Sequence, residues 1–221
     1  MDNEQRRKKA VNRVIDCGVI AVIRLQSAQG LVEVARSLTI GGVIAIEVTM
    51  TTPGALEAIS QACETLSEEA LIGAGTVLTP KQAADAIEAG ATFLVAPTLD
   101  SDVLNLAHDA GLPYVPGALT PNEIHHAMTL GADLIKLFPG QVATPGYIKD
   151  VLGPFPTARL LPTGNVNLST LPEYIKAGAV AVGVGKTLID PKAVLSSDWK
   201  AITECARQFS LAVERSRREL L

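Results

Sequence analysis

A chain of 221 residues, 48% of them hydrophobic, is long enough to bury a core without a disulfide or metal staple. A formal charge of −4 and an aromatic content of 4% argue against nucleic acid as a partner. The apolar run Cys17–Ile23 is too short to span a membrane, and no apolar stretch of signal-peptide length follows the basic N-terminus. With Cys17, Cys63 and Cys205 far apart and no CxxC pair, a soluble cytoplasmic protein with reduced core thiols is expected.

A helix is predicted from about Glu4 to Asp16, with Arg6, Arg7, Lys8 and Lys9 on a solvated surface. Short β-branched runs then alternate with longer Ala/Glu/Leu stretches. Eight strands are read in order: Val19–Arg24, Val43–Thr49, Leu71–Thr76, Thr92–Pro97, Pro113–Val115, Asp133–Phe138, Arg159–Thr163 and Val180–Val184. Helix stops fall at Gly41-Gly42, Gly90, Gly111, Gly131 and Gly178, each just before a new apolar run. Helix starts are marked by Thr52-Pro53, Thr79-Pro80, Asp100 or Ser101, and Thr120-Pro121, because a threonine cap followed by proline opens a first turn. A long helix from about Ser197 to Leu220 follows the last strand, with Arg215, Arg217 and Arg218 again solvated.

Strands separated by helices argue for a parallel sheet. Eight such units favour an α/β fold of the (β/α)8 TIM-barrel type with an extra N-terminal helix, as one domain over residues 1–221. An open, doubly wound sheet is the alternative.

Polar groups collect late in the strands, at the end where barrel chemistry sits. Strand one ends in Arg24, strand two holds Glu47 and Thr49, and strand three ends in Thr76. Strand four ends in Pro97, strand six holds Lys136 and Phe138, and strand seven ends in Thr163. Lys136 is the only cation in an apolar run. Burial disfavours an ammonium and leaves a neutral amine able to attack a carbonyl and form a Schiff base. Period-two alternation puts Leu134, Lys136 and Phe138 on one face, and Ala45, Glu47 and Thr49 on one face. If the larger aliphatics face the helices, Lys136 and Glu47 both point into the barrel mouth. Glu47 then serves as general acid and base for carbinolamine and iminium steps. The alternative is a plain salt bridge, which would keep the lysine charged. The Arg24 fork suits a carboxylate or phosphate, and Thr76 can donate to a substrate carboxylate. Pro97 and Phe138 form an apolar wall or simply pack.

After strand seven comes Thr163-Gly164-Asn165, and after strand eight Gly183-Val184-Gly185-Lys186-Thr187. Loops at these places in barrels hold phosphate through backbone N–H groups, and Lys186 adds charge. A P-loop is excluded, since its first glycine would fall at Val180. The pairs Gly73/Gly75 and Gly183/Gly185 lack the third glycine of a dinucleotide fingerprint. His108, His125 and His126 lie in predicted helices and are expected to face solvent. Neither a metal nor another cofactor is expected.

At these residues the chain resembles the class I 2-keto-3-deoxy-6-phosphogluconate (KDPG) aldolase family, which includes 4-hydroxy-2-oxoglutarate (KHG) aldolases. The motifs are Gly42-Val43-Ile44-Ala45-Ile46-Glu47-Val48-Thr49, Ile72-Gly73-Ala74-Gly75-Thr76-Val77, Leu134-Ile135-Lys136-Leu137-Phe138-Pro139-Gly140 and Leu161-Pro162-Thr163-Gly164, and the resemblance runs from about Val14 to Ile189. It implies a (β/α)8 barrel, usually a homotrimer, that cleaves a phosphorylated 2-keto-3-deoxy sugar acid to pyruvate and glyceraldehyde 3-phosphate. It implies Lys136 as the Schiff-base lysine and Glu47 as general acid/base. Thr76 would hold the pyruvate carboxylate, with Pro97 and Phe138 lining the methyl pocket. Thr163, Gly164 and the loop after strand eight would hold the phosphate. The chain departs from the family pattern at Thr51, where many members have arginine, with Arg24 the candidate substitute. It departs again at Asn165, where many have glycine, and at Lys186, where many have serine. Rival substrates are KHG and the galactonate epimer of KDPG. Rival classes are a sugar-phosphate isomerase with Glu47 as base and a non-catalytic binder of phosphorylated metabolites.

Overall fold

The computed structural model describes residues 2–67 and 69–220. The strands run β1 (Val19–Ile23), β2 (Ala45–Thr49), β3 (Leu71–Gly75), β4 (Leu94–Val95), β5 (Tyr114–Val115), β6 (Gly117–Ala118), β7 (Ile135–Leu137), β8 (Leu160–Pro162) and β9 (Val182–Val184). The helices are α1 (Asn3–Cys17), α2 (Leu31–Ile40), α3 (Ala55–Leu66), α4 (Pro80–Glu88), α5 (Ser101–Asp109), α6 (Pro121–Thr129), α7 (Pro145–Leu152), α8 (Leu171–Lys176), α9 (Pro191–Leu195) and α10 (Trp199–Arg218). The fold is α/β, a curled parallel sheet flanked by helices.

Six strands pair in the order β5–β4–β3–β2–β1–β9 and three in the order β6–β7–β8. The expected fifth strand, Pro113–Val115, is found as β5, and β6 is a further strand beyond Pro116, which has no N–H to give a continuous ladder. Its carbonyl still accepts from Lys136 N at 2.8 Å, and Gly117 N donates to Thr98 O at 3.2 Å. On the other side an isolated parallel bridge joins Thr163 to Gly183.

Two apolar layers follow from the strand alternation. Ile46, Val48, Ile135 and Leu137 face outward and pack with helix residues such as Leu38, Ile59 and Phe209. Ile20, Ala45, Leu71, Phe93, Val95, Val115, Leu134, Leu161 and Ala181 face inward. Ala10, Val11 and Val14 of α1 join this inner set, so the first helix plugs the N-terminal end of the sheet's concave side.

Helix caps explain most boundaries. Thr79 and Thr120 accept N–H bonds at the starts of α4 and α6, and Asp100 does so for α5. The Thr52-Pro53 start is a correction. α3 begins at Ala55 behind Gly54, and Thr52 is buried, where its hydroxyl accepts from Leu25 N. Solvation of the basic clusters needs correcting too. Arg7 Nε lies 3.4 Å from Asp133 Oδ2, and Arg217 donates to the carbonyls of Ile15, Asp16 and Val180. His108 is also not solvent-facing, because its Nε2 lies 3.5 Å from the same Asp133 oxygen. His125 and His126 are exposed as expected. The three cysteines are free and half-buried rather than fully in the core.

Close packing of α2 on α10 makes one testable point. A Cβ at Gly41 would stand 2.5 Å from both Ala206 Cβ and Thr203 O. Gly41→Ala is expected to cost about 1–3 kcal/mol by overpacking, read as a lower denaturant midpoint at unchanged slope.

Candidate active site

Lys136 sits in the middle of β7, between the Ile135 and Leu137 side chains that anchor the strand to the outer core. Its own side chain turns inward and the residue is 5% exposed. Glu47, in the middle of β2, is 2% exposed and also faces inward. Lys136 Nζ lies 3.8 Å from Glu47 Oε1, and that oxygen has no hydrogen-bond partner among the described residues. A separation of 3.8 Å is too long for a direct hydrogen bond. It does let one oxygen, about 2.8 Å from each atom, touch both. The pair therefore stands within ion-pair distance but beyond a direct hydrogen bond.

The sequence builds this pair by removing side chains around it. A Cβ at Gly75 would lie 2.0 Å from Glu47 Oε1, so the carboxylate rests where β3 offers only backbone. The Phe138 ring stands over the amine, its centroid 5.5 Å from Nζ. Phe138 is 41% exposed and its peptide bond to Pro139 is cis. Pro97 is half-buried, and beside Pro97 and Phe138 opens a cavity of about 590 Å3 whose wall includes Gly117, Asp100, Glu123 and His126.

Thr76 follows β3 with φ 60°, a backbone region that a β-branched residue rarely adopts. Such an outlier is held by its surroundings and is characteristic of binding sites. Arg24 is exposed one residue past β1, a step beyond the Ile23–Val48 pair. At the mouth of β2 the Thr49 hydroxyl lies 3.1 Å from that of Thr51 and 3.3 Å from that of Thr52. This hydroxyl cluster went unread in the sequence; the Thr49-x-Thr51-Thr52 spacing was its only signal.

The proposed phosphate loops are neighbours. Thr163 is buried, and its hydroxyl packs where a Cβ at Gly183 would be 2.3 Å away. Gly164 and Asn165 follow with φ 96° and 58°. Thr187 Oγ1 donates to Val166 O at 2.7 Å, which ties the loop after β9 to the loop after β8. Leu188 N and Ile189 N donate to Gly185 O, while Lys186 is exposed at the rim.

The thiols are poor candidates for nucleophiles. Burial, then Glu64, pushes Cys63 up to about 11, and burial raises Cys205. Among the described residues no group of three or more His, Cys, Asp or Glu is placed to hold a metal. No helix among them is long and apolar enough to cross a membrane.

Known proteins are similar to this chain along most of its length. The family model for KDPG and KHG aldolases matches residues 11–205. The chain is 36% identical over 217 residues to the 2-dehydro-3-deoxy-phosphogluconate aldolase of Pseudomonas aeruginosa, covering 96% of this chain and 95% of the relative. It is 33% identical over 204 residues to the KHG/KDPG aldolase of Escherichia coli, covering 91% and 95%. Its fold is similar to that of the KDPG aldolase from Legionella pneumophila, solved with pyruvate captured at low pH as a covalent carbinolamine intermediate. The TM-score is 0.82 at 30% identity, over 89% of this chain and 96% of that one. An inward lysine beside an enclosed carboxylate is thus found in a sequence matched along almost its whole length, and the chain belongs to the KDPG and KHG aldolase family.

Proposed function

We propose that this chain is a class I aldolase that reversibly cleaves KDPG to pyruvate and glyceraldehyde 3-phosphate, with Lys136 as the Schiff-base residue and Glu47 as general acid/base. The observation that carries the reading is the enclosed Lys136–Glu47 pair at 3.8 Å. Neutral Lys136 attacks the C2 ketone, and Glu47 delivers and removes the protons that turn the carbinolamine into an iminium. The iminium then accepts the C3–C4 bonding electrons as the C4 hydroxyl gives up its proton. Glyceraldehyde 3-phosphate leaves, the enamine is protonated at C3, and water releases pyruvate from the lysine.

Thr76 and Arg24 take the carboxylate, and Pro97 and Phe138 flank the pyruvyl methyl. Thr163, Gly164, Asn165, Gly185 and Lys186 take the phosphate. Support for the last group comes from the two adjoining loops and the exposed cation at their rim. A full eight-stranded barrel belongs to the same proposal, with β5 and β6 counted as one strand and the Thr163–Gly183 bridge closing the ring. So do a single domain over residues 1–221, a homotrimer and a cytoplasmic setting.

Borohydride added with pyruvate is expected to leave a reduced pyruvyl adduct on Lys136, located by peptide mass spectrometry. An unmodified lysine in a preparation that does not cleave KDPG but isomerises a sugar phosphate would favour an isomerase with Glu47 as base. An unmodified, inactive preparation would favour a binder of phosphorylated metabolites. The departures at Thr51, Asn165 and Lys186 keep KHG and the galactonate epimer as rival substrates. A comparison of kcat/KM on the three decides between them, with KDPG expected to be highest.

A further inference from the structure

All three tyrosines of the chain donate their hydroxyls to backbone carbonyls of loops on the active-site face. Tyr114 reaches Thr98 O at 3.1 Å, just after β4. Tyr147 reaches Leu119 O, just after β6, and Tyr174 reaches Gly140 O at 3.3 Å, just after β7. The third stands apart because of what Gly140 touches. Gly140 N donates to Thr163 O at 2.9 Å. A Cβ on Gly140 would lie 2.1 Å from Gly164 O and 2.6 Å from Thr163 O. The turn after the lysine strand and the loop after β8 thus meet backbone to backbone, with no side chain between them.

Tyr174 belongs to α8, the helix that follows this same β8 loop. Its ring is buried, 4% exposed, and its hydroxyl crosses back to the β7 turn. Burial, with Glu173 adding to it, raises this hydroxyl above its ordinary value, so it remains a neutral donor. We infer that Tyr174 is a positioning residue that clamps the Phe138–Gly140 turn onto the Thr163–Gly164 loop, and so sets the span between the Lys136 amine and the loops that take the far anionic end of the substrate. The inference rests on the phosphate assignment proposed above and names the residue that holds it in register. A substrate with no distal phosphate makes no use of that span. The clamp therefore discriminates between substrates rather than supporting the amine itself.

Tyr174→Phe removes one oxygen and leaves the ring in the core. The variant is compared with the wild type and with Tyr147→Phe in three measurements. These are exchange of the pyruvate methyl protons with deuterium, kcat/KM on KDPG, and kcat/KM on KHG. Each is normalised to the fraction of chains that borohydride traps with pyruvate, so partial unfolding cancels. Exchange is expected to stay within about twofold. The KDPG-to-KHG ratio should fall about tenfold through KM, the scale of one lost hydrogen bond, and Tyr147→Phe should leave the ratio unchanged. A ratio unchanged in Tyr174→Phe overturns the clamp. So does a loss of exchange in parallel with cleavage, which would mean that the hydroxyl supports the lysine strand as a whole. A wild type with no preference for KDPG over KHG would overturn the phosphate assignment and the clamp together. A wild type that prefers KDPG, with a Tyr174→Phe ratio to match, would overturn the clamp alone.

Discussion

Lys136→Met is expected to abolish aldol cleavage and pyruvate proton exchange, with a fall on the order of 10^6-fold, the scale seen when a covalent nucleophile is removed. Methionine retains most of the apolar stem, so inner-layer neighbours such as Leu134 and Leu161 keep their contacts. What disappears is the only group at that position able to make the iminium. The same substitution has a stability signature. Glu47 is 2% exposed and its Oε1 has no hydrogen bond among the described residues, so removing the amine takes away the basic group that lies 3.8 Å from a buried acid. An orphaned buried group of this kind costs about 1–3 kcal/mol. Adding Glu47→Leu to Lys136→Met is expected to recover that loss, because two facing apolar groups carry no desolvation penalty. Cleavage kinetics and denaturant midpoints on the single and double variants check both halves. Residual activity near the wild-type level in Lys136→Met would exclude a Schiff base at this lysine.

The part of the site that was legible in the sequence is the part governed by strand alternation. In a strand, i and i+2 share a face, so the large aliphatics at 44, 46 and 48 and at 135 and 137 oriented Glu47 and Lys136 before any coordinates. The register then brings the two strands round the curled sheet to a 3.8 Å approach. The helix starts at Thr79 and Thr120 were legible for a similar local reason, since capping depends on residues three apart.

What escaped was set by contacts far apart in sequence. Thr52-Pro53 has the local form of a cap. Leu25, across the mouth of the sheet, instead draws the Thr52 hydroxyl inward, and α3 starts two residues past Pro53. Asp133 gathers Arg7 and His108 from helices whose nearness only the fold reveals, and both side chains leave solvent as a result. The strain at Thr76 depends on a backbone angle that nothing in the motif specifies. β6 also escaped, because Pro116 ends the local strand pattern at Val115 and Gly117–Ala118 is recruited only by pairing with the distant β7.

Glu47→Gln separates the proposed chemistry from its simplest structural rival. If Glu47 only neutralised the lysine, the amide would release the amine from its counter-ion, and Schiff-base formation would hold steady or quicken. If Glu47 moves protons, the amide is inert, and kcat is expected to fall by ~10^2 to 10^4-fold, the usual worth of a positioned acid–base group. Glutamine has the same shape and keeps its seat over Gly75, so packing is not the variable. The deficit should appear in every step that needs a proton, including exchange of the pyruvate methyl hydrogens. Lys136 should still be trapped by borohydride after long incubation with pyruvate, because loss of Glu47 slows dehydration of the carbinolamine to the iminium without abolishing it. Gly75→Ala provides a second route to the same state. Its Cβ would take the space of the carboxylate at 2.0 Å and must push Glu47 away from the amine without changing either functional group. Agreement between the two variants, both slow in exchange and both still trappable, assigns the loss to the missing proton carrier. A Glu47→Gln enzyme that exchanges as fast as wild type removes Glu47 from the mechanism.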